Sequence, residues 1–146
     1  MQDRPSVREL LDAVRAFLEE DVVPALEGPR QFHARVAANV LAIVGRELAG
    51  EEASLLAEWQ RLALVLGEDA SAPPARLEAL RAAVREGTAA LAERIRRGEA
   101  DAGPFRAAVR AHVRATVEDK LRVANPRFVQ PIAGQQGGAP AGSAPD

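Results

Sequence analysis

The residue types that could do chemistry are concentrated in one stretch of the chain, residues 30–48. Its large apolar residues repeat at helical spacing and predict a stripe facing the core, made of Phe32, Val36, Val40 and Ile43. Asn39 lies inside the edge of that stripe, and His33 lies on its other side. Polar groups beside a core face need hydrogen-bond partners. They therefore indicate either a buried polar network or a surface made for a partner, and residue types alone leave both open.

Two arginines extend this polar side of the predicted helix. Arg35 and Arg46 fall on the same side as Asn39, just outside the apolar stripe. Because arginine presents a planar fork of N–H donors to carboxylates and phosphates, the pair indicates an anion-binding cluster. The alternative is a solvated flank that pairs with acidic residues of the preceding helix. His33 likewise indicates either a binding contact or a half-buried ring that is hydrogen-bonded to a neighbouring helix.

Three further polar residues lie near the end of the chain. Lys120 is the only lysine in a chain with 18 arginines, and Asn125 opens an Asn-Pro-Arg-Phe segment. Both are candidate partner- or ligand-binding residues. The alternatives are a solvated helix end for Lys120 and a terminal strap for the segment that starts at Asn125. His112 lies between Val109 and Val113, which predicts a histidine in the core.

Catalytic and metal-binding patterns are missing from the sequence. No serine lies in a strand–turn–helix elbow, and there is no glycine-rich phosphate loop. Neither His33 nor His112 follows a carboxylate by three residues, the spacing that di-iron helical bundles use. The absence of cysteine excludes thiolate catalysis and zinc–thiolate sites. We therefore expect a protein that is not an enzyme, with no catalytic residues, no metal and no cofactor.

Composition narrows the classes of partner. The 19 basic and 21 acidic residues give a net charge of −2, so there is no general attraction to nucleic acid or anionic lipid. No apolar run approaches the roughly 20 residues of a membrane span, and the polar N-terminus does not read as a signal peptide. The lack of cysteine fits a reducing compartment. We expect a cytoplasmic protein without nucleic-acid or membrane partners.

The periodicity predicts an all-α fold, an antiparallel bundle of about five helices. The first opens at a capping box of Ser6 and Glu9, has the clearest amphipathic pattern of the chain, and is disrupted at Pro24. The others are expected at about residues 31–49, 51–66 and 75–97, and from 104 to the residue before Asn125, with glycine stops at 50, 67 and 98. Residues 1–128 form the predicted helical bundle domain, and residues 129–146 a disordered tail rich in Gly, Pro and Ala.

Four segments together resemble a known family. They are Gln-Asp-Arg-Pro at 2–5, Phe-Leu-Glu-Glu-Asp-Val-Val-Pro-Ala-Leu-Glu-Gly at 17–28, Phe-His-Ala-Arg-Val-Ala-Ala-Asn at 32–39 and Lys-Leu-Arg-Val-Ala-Asn-Pro-Arg-Phe at 120–128. The family consists of small all-helical bacterial proteins of unknown function, found alongside aminoglycoside-kinase-like phosphotransferases and acyl-CoA dehydrogenases. The resemblance covers roughly residues 2–128. His33, Arg35, Asn39, Lys120, Asn125 and Pro126 stand in these motifs.

The resemblance implies a role in the catabolism of hydroxy acids as CoA thioesters. The kinase-like protein would phosphorylate a hydroxyacyl-CoA, the dehydrogenase-like protein would help to eliminate phosphate, and the small protein would support the kinase. On this interpretation the chain is a non-catalytic accessory subunit, with the phosphotransferase as its partner and the dehydrogenase as a further one. Three alternatives stay open: a stand-alone module that binds acyl-CoA or another small ligand, a homodimer paired through its first helix, and an enzyme in its own right that would depend on His33 with Arg35.

Overall fold

A computed structural model describes residues 4–129, and every regular element in that range is helical. The helices are α1 (Val7–Phe17), α2 (Val23–Ala25), α3 (Gly28–Leu66), α4 (Leu77–Arg96) and α5 (Gly103–Ala124). A π-helix (Leu18–Val22) joins α1 to α2, and a 3-10 turn (Pro126–Phe128) follows α5. The predicted all-α class is confirmed, whereas nearly all of the predicted tail lies outside the described residues. Within residues 4–129 no helix combines the length and apolar character needed to cross a membrane.

The start of α1 follows the predicted capping box. The Ser6 hydroxyl accepts a hydrogen bond from the Glu9 backbone N–H, and the Glu9 carboxylate accepts one from the Ser6 backbone N–H at 2.7 Å. The helix does not simply end at Pro24. Because proline has no N–H to donate, the chain widens into the π-helix just before it, where the Val23 N–H bonds the Leu18 carbonyl.

Helix α3 joins two segments that the sequence separates. Gly50, expected to stop a helix, lies inside α3, so the described residues contain four helices longer than one turn. A glycine inside a helix costs about 1 kcal/mol relative to alanine, which neighbouring contacts can offset. Glu51 supplies one of them, because its carboxylate accepts a hydrogen bond from Arg81 Nε of α4 at 2.6 Å.

The expected helix ends at Gly67, Gly98 and Asn125 are confirmed, whereas α3 begins at Gly28 rather than about residue 31 and α4 at Leu77 rather than about residue 75. Gly67 ends α3 and Gly98 follows the end of α4, both with the positive φ angles that glycine adopts readily (78° and 83°). Pro104 lies in the first turn of α5, and that helix ends before Asn125 and Pro126. These helix ends are therefore determined locally. Glycine acts through the positive φ angle that it can adopt, and proline acts through its fixed φ angle and its missing N–H donor.

Helix α3 is the central element, and α1, α4 and α5 each pack on it. The buried core lies around its second half, where Leu62 meets Val84 and Leu91 of α4 and Val109 of α5. Trp59 and Phe105 pack at the margin of this cluster. The first half of α3 contributes only two small buried residues, Ala34 and Ala38, and α1 contributes none.

Candidate functional site

An exposed apolar surface covers α1 and the first half of α3. Its large side chains are between 39% and 64% exposed. We call this surface the N-terminal apolar face; it consists of Val7, Leu10, Val14, Phe17, Phe32, Val36, Val40, Val44 and Leu48. The stripe expected to face the core is therefore on the outside at Phe32, Val36 and Val40, and the prediction is wrong for these three residues. Ile43, the fourth member of that stripe, is half-buried.

The prediction fails because α1 packs on another side of α3. Gly45 and Ala49 of α3 line depressions shared with α1, and the buried positions nearby are Ala34 and Ala38. Ala34 is 9% and Ala38 2% exposed, so the covered side of the first half of α3 is the one that carries these two small residues. Helical periodicity alone does not distinguish a stripe that faces the core from one that faces a partner.

The two stripes of the N-terminal apolar face meet at one end. The α3 residues of the face are four apart, so their positions drift gradually around the helix. At Leu48 the stripe reaches Val7 of α1, and both residues line one depression of about 330 Å³. Nine large apolar side chains, each between 39% and 64% exposed, thus lie along two helices that pack on each other. Single exposed apolar residues are normal on a protein surface, whereas such a concentration of them along two helices is not.

Three of the predicted site residues converge at a second place. A cavity of about 500 Å³ is lined by Asn39 and Arg46 of α3 and by Ala124, Asn125, Pro126 and Arg127 at the end of α5. We call it the arginine cavity. Arg46 Nε donates a hydrogen bond to the Val123 carbonyl oxygen at 2.7 Å. The alternative in which Arg46 pairs with acidic residues of the first helix is therefore wrong, because the end of α5 holds it instead.

His33 and Arg35 do not line the arginine cavity. His33 is exposed, and its ring lies 5.9 Å from that of Phe32 in a tilted arrangement. The alternative of a half-buried histidine is therefore wrong. Arg35 is also exposed, one helical turn before Asn39. Neither His33 nor Arg35 belongs to the N-terminal apolar face or to the arginine cavity.

Lys120 lines a different depression, of about 210 Å³, between α3 and α5. Four carboxylates share its wall: Glu47, Glu51, Glu58 and Asp119. The lysine therefore faces acidic surroundings, unlike the arginines around Asn125. Among residues 4–129, no three His, Cys, Asp or Glu side chains come together in a group that could hold a metal ion.

A polar cluster between α3 and α5, of which His112 is the buried member, was not recognised in the sequence. His112 is 6% exposed, which confirms it as a core residue, and its Nδ1 has no hydrogen-bond partner in the described part of the chain. Burial lowers the pKa of His112; the charge of Glu58 acts in the opposite direction and that of Arg61 adds to the lowering. Nearby, Arg61 and Asp119 form an ion pair at 2.7 Å.

One signal in the sequence could have found this cluster. His112, Thr116 and Asp119 are spaced four and three apart, which places three polar residues on one side of α5. Arg61, the ion-pair partner of Asp119, is 58 positions away, and no local pattern connects it. Arg127 of the arginine cavity was missed in the same way, although the Asn-Pro-Arg-Phe segment that contains it was identified.

The comparisons with known proteins identify a family. No match was found among curated proteins or among solved structures. A family described as a domain of unknown function (DUF6285) matches residues 24–128. That range takes in α3, α4, α5 and every residue that lines the arginine cavity, whereas α1 precedes it. Since the match spans most of the chain, this protein belongs to the DUF6285 family.

Proposed function

We propose that this protein is a non-catalytic accessory subunit that binds and supports a kinase-like (hydroxy)acyl-CoA phosphotransferase in acid catabolism. The observation that supports it is the N-terminal apolar face. A concentration of exposed large apolar side chains like this one is typical of a protein interaction site. The class of partner comes from the resemblance carried by residues 2–5, 17–28, 32–39 and 120–128, which also suggests an acyl-CoA dehydrogenase as a further component.

The shape of the face favours a protein over a small ligand. Small-molecule sites are concave and enclose most of the ligand. Here the apolar side chains follow two helices, four residues apart on α3 and three or four apart on α1, so they form ridges.

The charges of α1 favour an association driven by apolar burial. Arg8 pairs with Asp12 at 3.7 Å, and Arg15 pairs with Glu19 at 3.4 Å, so these charges are matched within the helix. The residues that define the face carry no charge. Exposed ion pairs contribute little and are screened by salt, whereas burial of apolar surface is not weakened by screening. We therefore expect the complex to persist at high ionic strength.

The first test is co-purification of the protein with its kinase-like phosphotransferase after co-expression. The variant Val40→Glu places a charge in the middle of the N-terminal apolar face. We expect it to abolish co-purification and the gain in phosphotransferase activity, since burying an unpaired carboxylate is strongly unfavourable. Leu64→Glu is the matched control, because Leu64 is 73% exposed on the same helix but outside the face.

Two outcomes would contradict the proposal. One is a complex that forms equally well with Val40→Glu and Leu64→Glu. The other is a lone protein that light scattering shows to be a dimer and that Val40→Glu converts to a monomer. The second outcome would assign the face to another copy of the chain.

A further inference from the structure

We propose that the arginine cavity is a binding site for the anionic group, a phosphate or a carboxylate, of a small polar molecule. The cavity lies where the 3-10 turn after α5 approaches the middle of α3. It is separate from the interface of the proposed function, and the inference does not depend on that function.

The chemistry of the wall favours an anion. Arg46 and Arg127 bring two positive charges, and Asn39 and Asn125 bring two side-chain amides that can donate N–H bonds. None of the described residues that line the cavity is acidic. The neighbouring depression with Lys120 shows the contrast, since four carboxylates line its wall.

One of the two arginines is held in place before any ligand arrives. The Arg46 Nε–H bonds the Val123 carbonyl at 2.7 Å, close to the C-terminus of α5, where helix carbonyls carry partial negative charge. Among residues 4–129 the two Nη groups of Arg46 form no hydrogen bond or ion pair, so their donors are available. A guanidinium oriented in this way can bind two oxygens of a carboxylate or phosphate side by side.

The size and composition of the wall restrict the ligand further. A volume of about 500 Å³ is larger than one phosphate needs and falls within the range of small-molecule sites, about 300–1,000 Å³. Among the described residues of the wall, Ala124 and Pro126 are the only apolar ones, and they are too few to hold a long acyl chain. The arrangement therefore fits a polar molecule that carries the anionic group, rather than a fatty acyl moiety.

Isothermal titration of the isolated protein at low ionic strength tests this inference. Pyrophosphate is the phosphate probe and citrate the carboxylate probe. We expect saturable binding of at least one of them, weakened by about tenfold or more in Arg46→Gln and in Arg127→Gln, because each removes charge-assisted hydrogen bonds. Arg35→Gln is the matched control, since it removes the same charge from an exposed position outside the cavity.

The inference is overturned if neither probe binds saturably. It is also overturned if Arg35→Gln weakens binding as much as the cavity variants do. Binding would then depend on the general charge of the surface and not on the arginine cavity. Arg127→Gln keeps the test valid if Arg46→Gln unfolds the protein, since Arg127 is exposed on a short turn. Binding of pyrophosphate alone assigns a phosphate, and binding of citrate alone assigns a carboxylate.

Discussion

Both halves of α3 carry large apolar residues at helical spacing, but most of those in the second half are buried or half-buried and most of those in the first half are exposed. In the second half Leu62 is 2% exposed, covered by α4 and α5. In the first half Phe32 is 63% exposed, and the buried residues are Ala34 and Ala38. Two helices, α4 and α5, contribute to the core around the second half of α3. Where α1 packs on the first half, the α3 residues that are buried are small ones, Ala34 and Ala38. One continuous helix thus joins a buried core to a surface whose large apolar side chains are exposed.

The buried side chains of α3 stabilise the fold, whereas its exposed apolar side chains are available for binding. Full burial of a Val, Leu or Phe side chain contributes about 1.5–3 kcal/mol, so the core around Leu62 stabilises the fold. The equivalent side chains around Val40 have not made that contribution in the isolated chain. It becomes available when another surface covers them, which is the thermodynamic basis for a binding role.

Truncation of one side chain in each half should give the largest contrast. We expect Leu62→Ala to lower the free energy of unfolding by about 2–5 kcal/mol, since it leaves a cavity in the core. Val40→Ala, at a residue 49% exposed, should change it by less than about 0.5 kcal/mol in the isolated protein. Urea unfolding of the two variants measures both values. Equal losses would show that the first half of α3 is covered in solution.

Acidification should destabilise the second half of α3 through His112. Burial lowers the pKa of His112 in the folded state, so the unfolded chain takes up its proton first as the pH falls below the ordinary value of about 6.5. Stability due to this group is therefore complete above that pH and is lost on acidification, with a slope of at most about 1.4 kcal/mol per pH unit.

Urea unfolding between pH 7.5 and pH 5.5 measures this slope. We expect His112→Gln to remove that part of the slope. The matched control His33→Gln should leave it unchanged, because His33 is exposed on the other half of α3. A slope that disappears in neither variant, or in both equally, would mean that His112 does not control it.

The smallest expected effect comes from two glycines inside helices. An added Cβ at Gly87 of α4 would lie 3.5 Å from Leu62 Cδ1, an ordinary contact, whereas one at Gly45 of α3 would meet nothing within 4 Å. Alanine at either position should stabilise the protein by up to about 1 kcal/mol through helix propensity. We expect thermal unfolding to show the larger gain for Gly87→Ala. A loss there, with a gain for Gly45→Ala, would show that α3 and α4 pack too tightly to admit a methyl group.

The parts of the fold that the sequence predicted correctly all depend on nearby residues. Ser6 and Glu9 form their capping box across three positions, and Gly67 ends its helix through its own φ angle. Gly50 shows the limit of this approach, because contacts such as that between Glu51 and Arg81 join residues 30 positions apart. The same limit applies to the candidate site. Asn39 and Arg46 could be recognised in the sequence because they lie on one side of one helix, whereas Arg127 joins them only in the folded chain.

By itself the sequence determined that the chain is helical, where most helices begin and end, and which residues are apolar. These properties follow from backbone geometry and from the period of the helix. Only the tertiary structure decided which apolar stripe is buried and which is exposed, since that depends on where α1, α4 and α5 lie on α3. The same packing brought Arg46 to the end of α5, buried His112 and joined Arg61 to Asp119 in a half-buried ion pair.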